Sequence, residues 1–192
     1  MAYIGMRKPV AAPISAHTDG SAITYGTGFV IGTAVAATIN QQFNDNPDYG
    51  DDVIQDTDSG MNGYTGTIDT NDIADDVRGQ LLGWGTSGTG DTACYQATDA
   101  NAPYVGFGFI RVKMFQGTKK YECFWFHKAQ FTEAAINAST KQRQIEWNHP
   151  QLSITGMGAY IDDSGNAKYF DFKSFTTETA AWTWLKGKAN IT

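Results

Sequence analysis

The chain has 192 residues, 41% of them hydrophobic and 13% aromatic, enough to bury one substantial core and too apolar for a disordered chain. Its formal net charge of −6 argues against a protein that holds nucleic acid by neutralising phosphates. Twenty-one glycines scattered among Thr, Val, Ile, Phe and Tyr favour strands over helices.

Residues 1–20 contain Pro9, Pro13 and a His17–Gly20 turn signal, and read as an extended N-terminal arm rather than an element. A β domain is expected over 21–155. From Ile23 to Phe43 the text is strand-like, with Phe29, Ile31, Thr33, Val35, Ala37 and Ile39 on one side of a two-residue period. Residues 44–60 then read as a long acidic loop, with Asp45, Asp48, Asp51, Asp52, Asp56 and Asp58 and no Lys or Arg. A short strand follows at Tyr64–Ile68. A helix is expected over 72–82, capped by Thr70 or Asn71, with Asp72, Asp75 and Asp76 near its positive end. Ile73, Val77 and Leu81 give that helix its apolar stripe and Gly83 ends it.

Residues 84–102, rich in Gly, Thr and Asp, read as a loop. The clearest pair of elements is 104–131, where "YVGFGFIRVKMF" and "KKYECFWFHKAQF" flank a turn containing Gly117. Neither face of the returning strand is purely polar, so the ribbon should be covered on both sides over part of its length. Gln144–Thr155 reads as a strand interrupted by Pro150. The last segment, 156–192, is expected to hold a hairpin of Ala159–Ile161 with Lys168–Phe172. An amphipathic helix should follow over Thr177–Lys186, packing through Ala181, Trp184 and Leu185.

Charge is uneven along the chain. Between Asn40 and Val77 there are ten carboxylates and no basic residue, whereas eleven of the fourteen Lys and Arg residues follow Ala102. Such asymmetry can make surfaces of opposite sign that suit contact between copies.

No catalytic constellation emerges. His17, His127 and His149 are far apart in sequence, and there is no G-x-S-x-G, H-E-x-x-H or P-loop. Glu122, Glu133, Glu146 and Glu178 are dispersed, so nothing proposes a glycosidase carboxylate pair. The "DTDSG" at Asp56–Gly60 departs from a calcium loop, with Gly60 at position five, no Gly at six and Thr67 at position twelve. Cys94 and Cys123 sit in no metal-binding spacing and read as free thiols in a reducing compartment. The N-terminus lacks the apolar run of a signal peptide, and no stretch of about eighteen apolar residues spans a membrane.

Four strings in order, "YIGMRKPVAAPI" (Tyr3–Ile14), "YGTGFVIGTAVAATI" (Tyr25–Ile39), "NDNPDYGDD" (Asn44–Asp52) and "PYVGFGFIRVKMFQGTKKYECFWFHKAQF" (Pro103–Phe131), resemble the major tail proteins of long, non-contractile-tailed phages. The resemblance is to the phi13-type family and runs from about Tyr3 to about Ile154. It implies a tail-tube fold: an antiparallel β-sandwich or incomplete barrel with one flanking α-helix, here with a C-terminal helix added. It further implies hexameric rings stacked into a tube, association with other tail proteins and phage DNA passing through the lumen unbound. The implied location is the virion tail, assembled in the host cytoplasm, with no catalytic residue, metal, cofactor or membrane insertion. On this reading Asp45, Asp48, Tyr49, Asp51 and Asp52 are the candidates for contact between rings. Arg111, Lys113, Lys119 and Lys120 are the candidates for the basic surface that receives them. The alternative is a glycan-binding β-sandwich for virion decoration or host adhesion, drawing on exposed aromatics among five Trp, nine Tyr and eleven Phe.

Overall fold

A computed structural model describes residues 2–18, 21–99, 101–133, 136, 149–159, 162 and 165–192. The fold is mainly antiparallel β, with two α-helices among the described residues. In chain order the strands are β1 (Ala2–Ala16), β2 (Thr24–Tyr25), β3 (Phe29–Val30), β4 (Ala34–Phe43), β5 (Asn46–Gly50), β6 (Val53–Asp58) and β7 (Met61–Thr70). Helix α1 (Asp75–Leu82) follows, then β8 (Gly85–Ser87), β9 (Cys94–Gln96), β10 (Tyr104–Phe115), β11 (Thr118–Thr132), β12 (Gln151–Gly156), β13 (Phe170–Phe175) and helix α2 (Glu178–Ala189).

The main sheet runs β2-β1-β10-β11-β12-β7-β4, with β13 also on β11 and β3 also on β1. Its spine is the β10–β11 hairpin expected from sequence. Gln116 and Gly117 both take positive φ, 47° and 76°, the geometry of a two-residue turn whose twist suits a hairpin. That turn sets Arg111 opposite Glu122 and Phe109 opposite Phe124. Strand β11 is long enough to serve two partners on its far side. Its first half, Tyr121–Phe126, pairs with β13, and Ala129–Thr132 pairs with β12. At the other end of the order β4 pairs with β7, while β3, just before it in sequence, pairs with β1 at Val10 and Ala11. The sheet therefore curls back toward its own first strand and encloses a core.

Two apolar layers result from the alternation. The enclosed one joins Phe107, Phe109, Phe126, Phe131, Tyr64, Ile68, Leu152 and Ile154 to α1 through Val77 and Leu81. The outer one lies under α2, where Ala181, Leu185 and Ala189 meet Val10, Ala12, Ile110, Cys123 and Trp125. Glycines at 106 and 108 make room for that packing. A Cβ on Gly106 would sit 2.4 Å from the Trp125 ring, and one on Gly108 would sit 2.8 Å from Leu185 Cδ1.

Several expectations need correcting. Residues 2–16 are not an arm: β1 lies inside the sheet against β10, with Val10, Ala11 and Ala12 fully buried. Pro9 and Pro13 are accommodated rather than disruptive, because their carbonyls accept from Ile31 N–H and Gly26 N–H. A bulge between Arg7 and Val10, with Lys8 at φ 51°, re-aims the strand. The strand expected over Ile23–Phe43 is broken at 26–28 and again at 31–33, and a register shift between Ala34 and Ala36 turns Val35 outward while Ala37 and Ile39 pack on the core. Helix α1 begins at Asp75 after Ala74, with no side-chain cap from Thr70 or Asn71; Asp75 and Asp76 face its positive end and Gly83 closes it at φ 71°.

Residues 84–102 contain a small β8–β9 hairpin rather than only a loop. Residues 156–192 are no appendage, since β13 joins the main sheet through β11 and α2 covers that sheet's outer face. Within that segment the expected turn is present, since Ala159 N–H bonds Lys168 O, Asp162 N–H bonds Asn166 O and Gly165 N–H bonds Asp162 O, while Phe170–Phe175 goes on to pair with β11. The expected helix holds, capped by Thr177 Oγ1 on Ala180 N–H and ended by Asn190 at φ 52°. Trp147, Glu146 and the first part of the strand expected over 144–155 lie outside the described residues, as do Tyr160, Ile161 and Gly20.

Candidate functional site

The acidic stretch is not a loop but a β-ribbon. Strands β5 and β6 pair only with each other, and Asn44 N–H to Gly60 O closes the base at 2.8 Å. Asp51 and Asp52 form the turn with φ of 50° and 61°, a conformation that Asp tolerates better than most side chains because it bonds locally. Asp48 stands directly opposite Asp56, and Asn46 opposite Asp58. Like charges facing across a strand pair destabilise it, and an isolated two-stranded ribbon is marginal in water. Its tip is also apolar: Tyr49 and Val53 are each 64% exposed and Ile54 is 54% exposed. Among the described residues no Lys or Arg pairs with Asp45, Asp48, Asp51, Asp52 or Asp56, and no three His, Cys, Asp or Glu side chains are placed to hold a metal ion.

The four basic candidates split into two pairs. Arg111 and Lys113 are already committed to Glu122, whose side chain is only 5% exposed. Arg111 Nη2 donates to Oε2 at 2.7 Å and Lys113 Nζ to Oε1 at 2.8 Å. Burial alone would raise the Glu122 pKa, but the hydrogen bonds and charges of Lys113 and Arg111 outweigh it and hold the carboxyl below its usual range. The Arg111 guanidinium also lies 3.9 Å from the Tyr3 ring centroid. Lys119 and Lys120 sit just past the Gln116–Gly117 turn and are exposed, Lys120 lying 6.0 Å from the Phe115 ring centroid. The free part of the expected basic surface is thus the turn itself.

A polar chain centred on the buried His127, which sequence spacing did not reveal, links four elements. His127 is 6% exposed; its Nε2 lies 3.3 Å from Asp171 Oδ1 and its Nδ1 lies 3.3 Å from the Tyr25 hydroxyl, which donates to His127 O at 2.9 Å. Lys188 Nζ reaches Asp171 Oδ2 at 2.5 Å. The His127 hydrogen bond first, then that of Lys188, overrides burial and holds the Asp171 carboxyl well below the carboxylate range. These groups tie β2, β11, β13 and α2 together, and the chain register carried no hint of it because the partners are 44 and 61 positions from His127. A cleft of about 410 Å³ lies elsewhere, between Leu82, Trp84, Phe131 and Ile136, with Glu133 the one titratable side chain among its described lining. Glu133 is itself paired with Arg78 at 3.2 Å.

Compared with known proteins, the chain matches no family model and no curated protein. Of its described tryptophans, Trp125 is fully buried, and Trp84, Trp182 and Trp184 are half-buried against the two cores. Cys94 is exposed and Cys123 buried, and both are free thiols. No described helix is long and apolar enough to cross a membrane.

Proposed function

We propose that this chain is the major tail tube subunit of a long, non-contractile-tailed phage, assembling as hexameric rings that stack into a conduit for genome delivery. The observation that carries the reading is the β5–β6 ribbon. It carries six Asp residues, exposes the side chains of Asp45, Asp48, Asp51, Asp52 and Asp56 together with an apolar tip, pairs only with itself among the described strands and opposes Asp48 to Asp56. A ribbon so placed is stabilised when another molecule covers it. The ordered strings from Tyr3 to Phe131 support the family reading, and a curled antiparallel sheet with α1 packed against it agrees with the sandwich or incomplete barrel and flanking helix which that reading expects. Strand edges add to the argument. Among the described residues β4 is paired on one side only, and its ten residues include no charge or proline to discourage a further strand.

The reading assigns the protein no catalysis, metal or cofactor, and genome DNA as cargo rather than ligand. Its test is direct imaging. Negatively stained protein at raised concentration, alone and with tail initiator components, should show rings or long hollow tubes. Particles that stay monomeric under every one of those conditions would sink it.

A further inference from the structure

We infer that the cleft between the end of α1 and the end of β11 is a binding site for a small uncharged molecule that joins an apolar body to a carboxamide. The tail-tube reading gives this cleft no role. At about 410 Å³ its volume falls in the range of small-molecule sites. Leu82, Trp84, Phe131 and Ile136 supply apolar walls, and Gln130 and Glu133 supply polar groups. Gln130 Nε2 already donates to Ala102 O at 2.5 Å, which leaves Glu133 to decide what the cleft recognises.

The Glu133 side chain is only 9% exposed, and its pairing is incomplete. Arg78 Nη2 lies 3.2 Å from Oε1, but among the described residues neither Glu133 Oε2 nor Arg78 Nε has a hydrogen-bond partner, and both atoms are buried. The Nε–H and Nη2–H of an arginine point along one edge of the guanidinium, so a fully engaged edge uses both. Arg111 shows that state in the same molecule: its Nε and Nη2 both reach Glu122 Oε2, at 3.0 and 2.7 Å. The Arg78 edge is half closed. It leaves one donor and one acceptor over, and buried polar atoms without partners are costly.

The leftover atoms specify the ligand's polar end. Arg78 neutralises Glu133, so a ligand cation would meet the guanidinium charge and a ligand anion would meet the carboxylate. The complement is a neutral group that donates and accepts at once. A primary carboxamide does both in one plane, giving an N–H to Glu133 Oε2 and receiving the Arg78 Nε–H on its carbonyl. Its apolar body then lies against Trp84 and Phe131, where contact removes apolar surface from water.

The experiment titrates the dilute full chain with three probes that share one body: phenylacetamide, phenylacetate and phenethylamine. Nitrogen–proton correlation spectra follow the Trp84 indole N–H and the backbone amides of Gln130, Phe131 and Glu133. Phenylacetamide should shift these signals saturably, and bind at least about tenfold more tightly than either charged probe. Ala97 is an exposed residue of the cleft wall, so Ala97→Phe fills the space without touching the core and should abolish the shifts. Glu133→Gln leaves Arg78 without its counter-charge and should turn the preference toward phenylacetate, a reversal that a loss of stability alone would not produce. Circular dichroism establishes that each variant is folded, and Ala97→Phe decides the matter if Glu133→Gln is not. Signals that never saturate with phenylacetamide, equal affinity for all three probes, or shifts that survive in Ala97→Phe would each overturn the site. None of these results bears on whether the chain forms tubes, which imaging tests separately.

Discussion

Replacing Leu185 with Ala tests whether the last helix belongs to the cooperative core. The side chain is fully buried and packs in the outer layer with Ile110, Cys123 and Trp125, with its Cδ1 over the Cα of Gly108. Truncating a buried Leu to Ala typically costs about 2–5 kcal/mol, the sum of lost transfer energy and a cavity that neighbours fill incompletely. Here Trp125 and the sheet backbone cannot move inward, but a helix near one end of the fold can settle slightly. We therefore expect the middle of that range, about 3 kcal/mol. At roughly 2–4 °C per kcal/mol for a chain of this size, the thermal midpoint should fall by about 6–12 °C. Urea titration of dilute protein followed by circular dichroism measures the free energy directly. A loss below about 1 kcal/mol would refute the packing argument and return residues 178–189 to the status of an appendage.

Three further outcomes follow from separate features. Gly156→Ala would place a methyl 1.8 Å from the buried Tyr64 ring, whose hydroxyl is fixed on Lys128 O, so it should destabilise by about 2 kcal/mol or more, read as a lower urea midpoint. Glu122 and Asp171 are both held below the ordinary carboxylate range, so the stability they contribute is present above that range and is lost as pH falls through their lowered values. Urea midpoints should therefore drop steeply below about pH 4, and Glu122→Gln should flatten part of that dependence while lowering stability at neutral pH. Finally, burial pushes the Cys123 thiol up to about 12 while Cys94 is exposed. A thiol reagent should titrate Cys94 within seconds to minutes and reach Cys123 only on unfolding, and two equally fast thiols would contradict the outer core.

The sequence was informative wherever one face of an element is dry. Alternation around Gly117 located the β10–β11 hairpin, and Thr177 with Ala181 and Leu185 located α2, because burial imposes a period on those residues. The acidic ribbon gave no such signal: both of its faces meet solvent, so Asp48 and Asp56 obey no apolar alternation and the segment reads as loop. β1 was hidden by Pro9 and Pro13, whose missing N–H groups cost nothing where only their carbonyls are used. The Arg111–Glu122 pair was within reach, since a two-residue turn at Gln116–Gly117 already sets those positions opposite each other. The His127–Asp171–Lys188 chain was not, because it depends on β13 pairing with β11, far from it in sequence.

The way α2 caps the sheet has a bearing on biosynthesis. Its last turn lies against strand segments far upstream in the sequence: Ala189 shares a layer with Val10 and Ala12, and Asn190 O accepts from Gly28 N–H. A ribosome that has produced β1, β10 and β11 still holds back the lid for their outer surface. Until residue 189 has left the exit tunnel, Val10, Ile110 and Trp125 lack the cover that α2 gives them, so this face of the nascent sheet is completed only after the helix has emerged.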